Sequence, residues 1–137
     1  METRRFVTGT LVGGITLFAL GHLIFDLAFA DFYAANAGSA TGVARDAQLV
    51  WAVALGSLSY AALITLAIGS RAGSATIGGS VQIGAVVGFL LWVTADFILY
   101  GITNMTNLTR TVVDPLLELV RGGIVGGVTA LVLGKIR

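Results

Sequence analysis

Cysteine is absent from this 137-residue chain, which removes disulfides, thiolate chemistry and the common soft-metal sites together. Histidine occurs once, at His22, too few for a dedicated transition-metal site, and no metal or other cofactor is expected. Charge is scarce. Only 11% of residues are Asp, Glu, Lys or Arg, whereas a water-soluble domain carries about a quarter. The net charge is +1 with no basic run, so the clustered cations that neutralise nucleic-acid phosphates are missing and no nucleic-acid partner is expected. No Gly-x-Ser-x-Gly elbow surrounds a serine. Ser57, Ser59 and Tyr60 therefore read as hydrogen-bonding groups, and an enzyme is left open but disfavoured.

What the chain has in quantity is apolar surface. Hydrophobic residues make up 56%, glycine contributes 19 positions, and the mean hydropathy is +0.94. The lipid bilayer is the solvent such a composition requires. A hydrocarbon core about 30 Å thick needs roughly 20 apolar helical residues, and four stretches qualify: Phe6–Ala30, Gln48–Gly69, Val81–Thr103 and Pro115–Gly134. Breaker residues mark the joints: Gly38 and Gly42 in the first loop, Gly69-Ser70-Arg71-Ala72-Gly73 and Gly78-Gly79-Ser80 in the second, and the Asn- and Thr-rich stretch 104–111 in the third. Short loops imply antiparallel neighbours. The expected fold is an all-α membrane protein, one domain over residues 1–137, with four transmembrane helices in an antiparallel bundle. Arg4-Arg5 followed by an apolar run imitates a signal peptide, but His22 and Asp26 interrupt that run and it is too long.

Orientation follows from the cations beside the helix ends. Arg4, Arg5, Arg71, Lys135 and Arg137 fall on one side, against Arg45 and Arg110 on the other. Both termini are therefore expected in the cytoplasm, in a multi-pass protein of the cell inner membrane. Trp51 and Tyr33 fit an interfacial aromatic belt.

Between helices in lipid the hydrophobic effect offers little, so small residues that let backbones approach closely supply the association. Gly9 and Gly13 lie one turn apart in the first helix, Gly84 and Gly88 in the third, and Gly122–Gly126 overlaps Gly123–Gly127 in the fourth. Two adjacent ridges on one helix can serve two neighbours, so the partner of one ridge is a helix of this chain, a second copy, or another membrane protein.

Ionisable side chains at membrane depth are costly and mark function by default. His22 and Asp26 are spaced i, i+4; Asp96, Tyr100 and Asn104 continue at the same spacing; Glu118 and Arg121 share a face with Asp114. Their positions fall in the outer third to half of the bilayer. Three acid-bearing faces at one depth are cheapest if they meet, which gives a polar chamber lined by His22, Asp26, Asp96, Tyr100, Asn104, Glu118 and Arg121. Its acids outnumber its cations, so it holds a proton, water or a cation; the competing reading is an ion pair that only fixes helix register. Asp114 before Pro115 reads as an N-cap with proline at the first helical position.

The stretch Tyr100-Gly101-Ile102-Thr103-Asn104-Met105-Thr106-Asn107-Leu108, followed by Glu118-Leu119-Val120-Arg121-Gly122, resembles an uncharacterised bacterial family of small four-helix inner-membrane proteins. That family carries a Tyr-Asp-Leu-Thr-Asn motif and an acid-x-x-Trp-Gly motif. Tyr100, Thr103, Asn104, Glu118 and Gly122 match the pattern, and Asp26 before Phe32-Tyr33 resembles the family's first helix. Gly101 stands where the family has Asp and Arg121 where it has Trp, which makes this a divergent member. The resemblance implies the fold and the location of a site, with no activity attached. The expected function is transport or ion and proton handling through the chamber. The alternatives are an accessory subunit that binds through glycine ridges and an intramembrane enzyme on a lipid-linked substrate, with His22 and Asp26 as base.

Overall fold

The computed structural model describes residues 1–70 and 76–136. The chain is 79% helical, and the described residues contain no strand, only an isolated bridge between Ala37 and Thr106. Helix α1 (Thr3–Gly21) runs into a π-helical segment (His22–Ala28), a short α2 (Ala30–Ala35) follows, and then come α3 (Val50–Gly69), α4 (Ile77–Ile102) and α5 (Leu108–Leu133). Four stretches are long and apolar enough to cross a membrane: Thr3–Ala28, Val50–Gly69, Ile77–Ile102 and Leu108–Leu133. At about 1.5 Å per residue the longest reach roughly 39 Å, beyond the hydrocarbon thickness.

Two helices start earlier than the breaker residues suggest, and side-chain caps explain both. The Thr76 hydroxyl accepts from the Gly79 amide at 3.0 Å, so Gly78, Gly79 and Ser80 form the first turn of α4 instead of loop. Asn107 accepts from the Arg110 amide at 2.9 Å and opens α5 at Leu108, ahead of the expected start at Pro115. Asp114 is therefore no N-cap. It sits buried inside α5, and Pro115 behind it removes the amide that would have bonded the Thr111 carbonyl. At the other end of α4, Thr103 turns extended and its hydroxyl accepts from the Met105 amide. The expected loop at Gly69–Gly73 begins with the last residue of α3; positions 71–75 and 137, Arg71 and Arg137 among them, lie outside the described residues.

The glycines pack the helices within the chain. Along the α4–α5 crossing, the most extensive in the molecule, Ser80, Gly84 and Gly88 face Glu118, Gly122 and Gly126 so closely that a Cβ at Gly84, Gly122 or Gly126 would strike the opposing backbone carbonyl. Gly9 and Gly13 of α1 instead receive side chains, Thr65 and Ala61 of α3 and Thr129 and Val125 of α5. The second ridge on α5 differs. A Cβ at Gly123 would meet Ala85 and Val81 only at ordinary contact, one at Gly127 would meet a Val81 methyl at 3.0 Å and no backbone, and both glycines border a shallow apolar groove beside α4.

A small apolar core of Leu17, Tyr60, Ala61, Ile64, Ile68 and Val125 joins α1, α3 and α5. Near the termini Arg5 donates to the Ile136 carbonyl at 2.8 Å, and Met1 rests on Gly69. At the opposite end the loop after α2 is tied to the α4–α5 turn: the Ala40 amide donates to the Asn104 carbonyl at 2.9 Å, and Asn107 donates to Asn36 at 3.1 Å. Gly38 is required there, because any side chain would run into that Asn104 carbonyl. Gly42 has a φ of 66°, open to glycine without strain.

Candidate functional site

The site is built on one face of α5. Thr111, Asp114, Glu118 and Arg121 recur at three- and four-residue steps, so the 3.6-residue period stacks them along one stripe, and all four are buried. Arg121 is held from three directions. Its Nη1 donates to Glu118 Oε1 at 2.7 Å, its Nη2 donates to the Leu17 carbonyl at 2.6 Å, and its guanidinium carbon stands 5.3 Å from the centre of the Phe25 ring. Gly21 makes the room, since a Cβ there would approach Nη2 to 2.8 Å. The Glu118 side chain is 1% exposed, yet its second oxygen, Oε2, has no protein partner. Isolated carboxylates are too costly to bury, so the guanidinium is what permits Glu118 to sit here.

The Tyr60 side chain of α3 crosses to this pair. Its hydroxyl lies between Gly88 of α4 and Gly122 of α5, beside the Glu118 backbone, and it also lacks a partner. These contacts make a floor of Glu118, Arg121 and Tyr60. Above it, toward the loops, Tyr33 donates a short hydrogen bond to Asp114, and the Arg110 guanidinium stacks 4.8 Å from the Tyr33 ring centre. Burial, and then the Asp114 carboxylate, push the Tyr33 phenol well above its ordinary pKa, so it stays a donor at any physiological pH. Asp96 of α4, also buried, faces Asp114 from the other side.

Between floor and loops lies a cavity of about 1010 Å³. It exists because α3 packs along α1 but meets α4 and α5 only sparsely, so the helices part where the charged stripe begins. Gly56 of α3 borders it with nothing within 4 Å of a would-be Cβ. On the far wall the π-helical segment, a wider turn of a kind common at functional sites, presents His22 and Asp26, paired at 2.9 Å and more exposed than the floor. Trp92 of α4 lines the cavity with its indole nitrogen unpartnered.

Of the residues expected to line a chamber, His22, Asp26, Glu118 and Arg121 border this cavity. Asp96 stands behind Asp114 and does not. Tyr100 is 41% exposed on the outer surface of α4, because four residues advance a helix about 40° past a full turn and α5 covers only the Asp96 position. Asn104 lies beyond the end of α4, its carbonyl bonded to the loop after α2. The stripe of Asp96, Tyr100 and Asn104 is therefore not a cavity wall. Sequence reasoning gave Tyr33, Tyr60, Arg110 and Asp114 roles outside the site and gave Trp92 none. The spacing of Arg110, Asp114 and Glu118 carried the signal for two of them; Tyr33 looked like a belt residue and is instead tied to Asp114.

No family model, characterised protein or solved structure matches the chain. Function has to be argued from the cavity itself. Among the described residues no three His, Asp or Glu groups converge as a metal site would require. What the arrangement offers is a space of ligand size with one carboxyl, one phenol and one buried guanidinium at its floor, and aromatic rings on its walls.

Proposed function

We propose that this chain is a small transport protein of the inner membrane that handles cations, protons among them, through the cavity above Glu118 and Arg121. In this reading the four spans run antiparallel with both termini in the cytoplasm. The contacts of Arg5 with Ile136 at one end and of Ala37 with Thr106 at the other support the antiparallel course, and the cation count supports the orientation. The cavity then opens toward the outer face. The resemblance in Tyr100–Leu108 belongs to the same proposal, as to fold and membrane only.

The observation that carries this reading is the cavity's reach to a buried carboxylate. Glu118 is fully buried in a membrane-spanning helix, it borders a space of about 1010 Å³, and one of its oxygens is free of protein partners. A carboxyl that merely fixed register needs no space of this size beside it. Asp114 and Asp96, facing each other a turn away, are a second pair able to share a proton or hold a cation between them. Enzymatic turnover is the weaker reading, because the His22–Asp26 pair sits at the exposed rim, apart from the buried floor.

The test is flux in proteoliposomes under an imposed pH gradient. Glu118→Gln and Asp96→Asn should each lower cation-dependent proton movement at least tenfold while the protein still purifies as a folded species. Wild-type flux in both variants would end the proposal.

A further inference from the structure

The cavity has a chemistry more specific than ion handling. Its deepest acceptor is open while its cations are occupied. Asp26 and Asp114 line it but are engaged by His22 and Tyr33, whereas Glu118 Oε2 makes no hydrogen bond of normal geometry and has only the Tyr60 side chain close by. The two arginines that line it are both covered by aromatic rings, Arg110 by Tyr33 and Arg121 by Phe25, and Arg121 also spends two nitrogens on Glu118 and Leu17. An anion finds its counter-charges shielded. A cation finds a buried carboxylate oxygen.

The walls add a second constraint. Phe18, Phe25, Tyr60 and Trp92 present aromatic surface to the space, and aromatic faces attract organic cations within about 6 Å of the ring centre. The converging groups do not form a compact cage for a metal ion, and the volume far exceeds that of any bare cation. One side of the cavity is apolar. Val53 and Leu63 of α3 and Leu91 of α4 line it and are exposed, at a border where α3 and α4 barely touch. A ligand dissolved in the hydrocarbon can pass between them.

We propose that the cavity binds an amphiphilic organic cation, which passes between α3 and α4 from the membrane, sets its cationic centre against Glu118 and Tyr60, and leaves its apolar part among Phe18, Trp92 and Leu63. The proposal rests on the transport reading and names its substrate class. Gly56 is the position that controls space: it lies on the α3 wall with no atom near its missing side chain.

The experiment uses the purified full-length protein in mild detergent, with tetraphenylphosphonium as probe and tetraphenylborate, of the same shape and opposite charge, as control. Binding is read by calorimetry and by quenching of Trp92 in a Trp51→Phe background, since Trp51 is 69% exposed at the start of α3 and outside the cavity lining. The expected result is saturable binding of the cation, at least tenfold weaker binding of the borate, and at least tenfold loss of cation binding in Glu118→Gln. Because Glu118→Gln leaves Arg121 without its counter-charge and can fail to fold, Gly56→Phe is the second variant; it fills open space, keeps every charge, and should block the probe to the same extent. Equal binding of the borate, or unchanged cation binding in Gly56→Phe, overturns the proposal. The flux assay separates it from the transport reading. Glu118-dependent proton movement with no probe binding overturns the organic-cation class alone, whereas blockable probe binding without any flux upholds the class and removes the transport.

Discussion

The two ends of the helices are built on different principles, although the same face of α5 serves both. Toward the termini that face is made of Gly122, Gly126 and Thr129; it meets α4 at backbone contact and α1 through the Thr129 side chain set against Gly9 and Gly13. Toward the loops it carries Asp114, Glu118 and Arg121, and α3 stands away from it to leave a cavity. In lipid, association comes from close packing of small residues and from polar contacts. Concentrating the first kind at one end leaves the other end free to hold charges around space. The glycine end fixes how the helices cross, and the charged end can be hollow because it does not have to.

The strongest way to break this division is to unpair the floor. Arg121→Leu strands Glu118 as a buried, uncompensated carboxylate, and should cost about 3–5 kcal/mol of stability, read by unfolding in mixed detergent micelles. The double variant Glu118→Leu with Arg121→Leu leaves no buried charge and should regain most of that loss. A double variant as unstable as the single one would show that the stripe holds the fold together, and the division would fail.

The next effect tests the other end. Gly84→Val drives a side chain into the Gly122 carbonyl at the α4–α5 crossing, an overpacking that should cost about 3 kcal/mol. It should do so without altering the charge dependence of any flux that survives. Tyr33→Phe is smaller and belongs to the loop end: it removes the donor to Asp114, a carboxylate only 7% exposed, and should cost about 2 kcal/mol by leaving that acceptor unsatisfied. Its thermal shift in detergent should accordingly fall below that of Gly84→Val.

How much of this could be read from the residues divides along the same line. The four apolar spans were legible because hydrocarbon thickness sets a length and composition shows it. The glycine pairs were legible too, since Gly84, Gly88, Gly122 and Gly126 repeat at four-residue spacing on faces that do meet. The starts of α4 and α5 were not: Thr76 and Asn107 cap those helices, but the more conspicuous Gly78-Gly79 and Asp114-Pro115 look like stronger signals when tertiary context is missing. Within the site, Glu118 and Arg121 could be paired by spacing along one helix, because local geometry decides it. Tyr33 and Tyr60 could not, because the groups they approach lie on α5, far away in sequence, and only the three-dimensional crossing brings them there. The cavity itself is a property of α3 standing off from α4 and α5, which no periodicity encodes.

The smallest expected effect sharpens the comparison most. Gly84 and Gly56 are both glycines within apolar helices, on α4 and α3, and only the four-residue spacing of Gly84 to Gly88 distinguishes them in the sequence. The structure gives the physical difference: a Cβ at Gly84 meets backbone, and a Cβ at Gly56 meets nothing within 4 Å. Gly56→Ala should therefore change stability by no more than about 0.5 kcal/mol, in the same detergent titration where Gly84→Val loses several times as much. If the cavity is what separates the two ends, enlarging the side chain at Gly56 step by step, from Ala to Leu to Phe, should leave stability nearly flat while ligand binding falls with each added carbon. A steep loss of stability along that series would mean the space is filled by the protein itself, and the loop end would then be packed on the same principle as the glycine end.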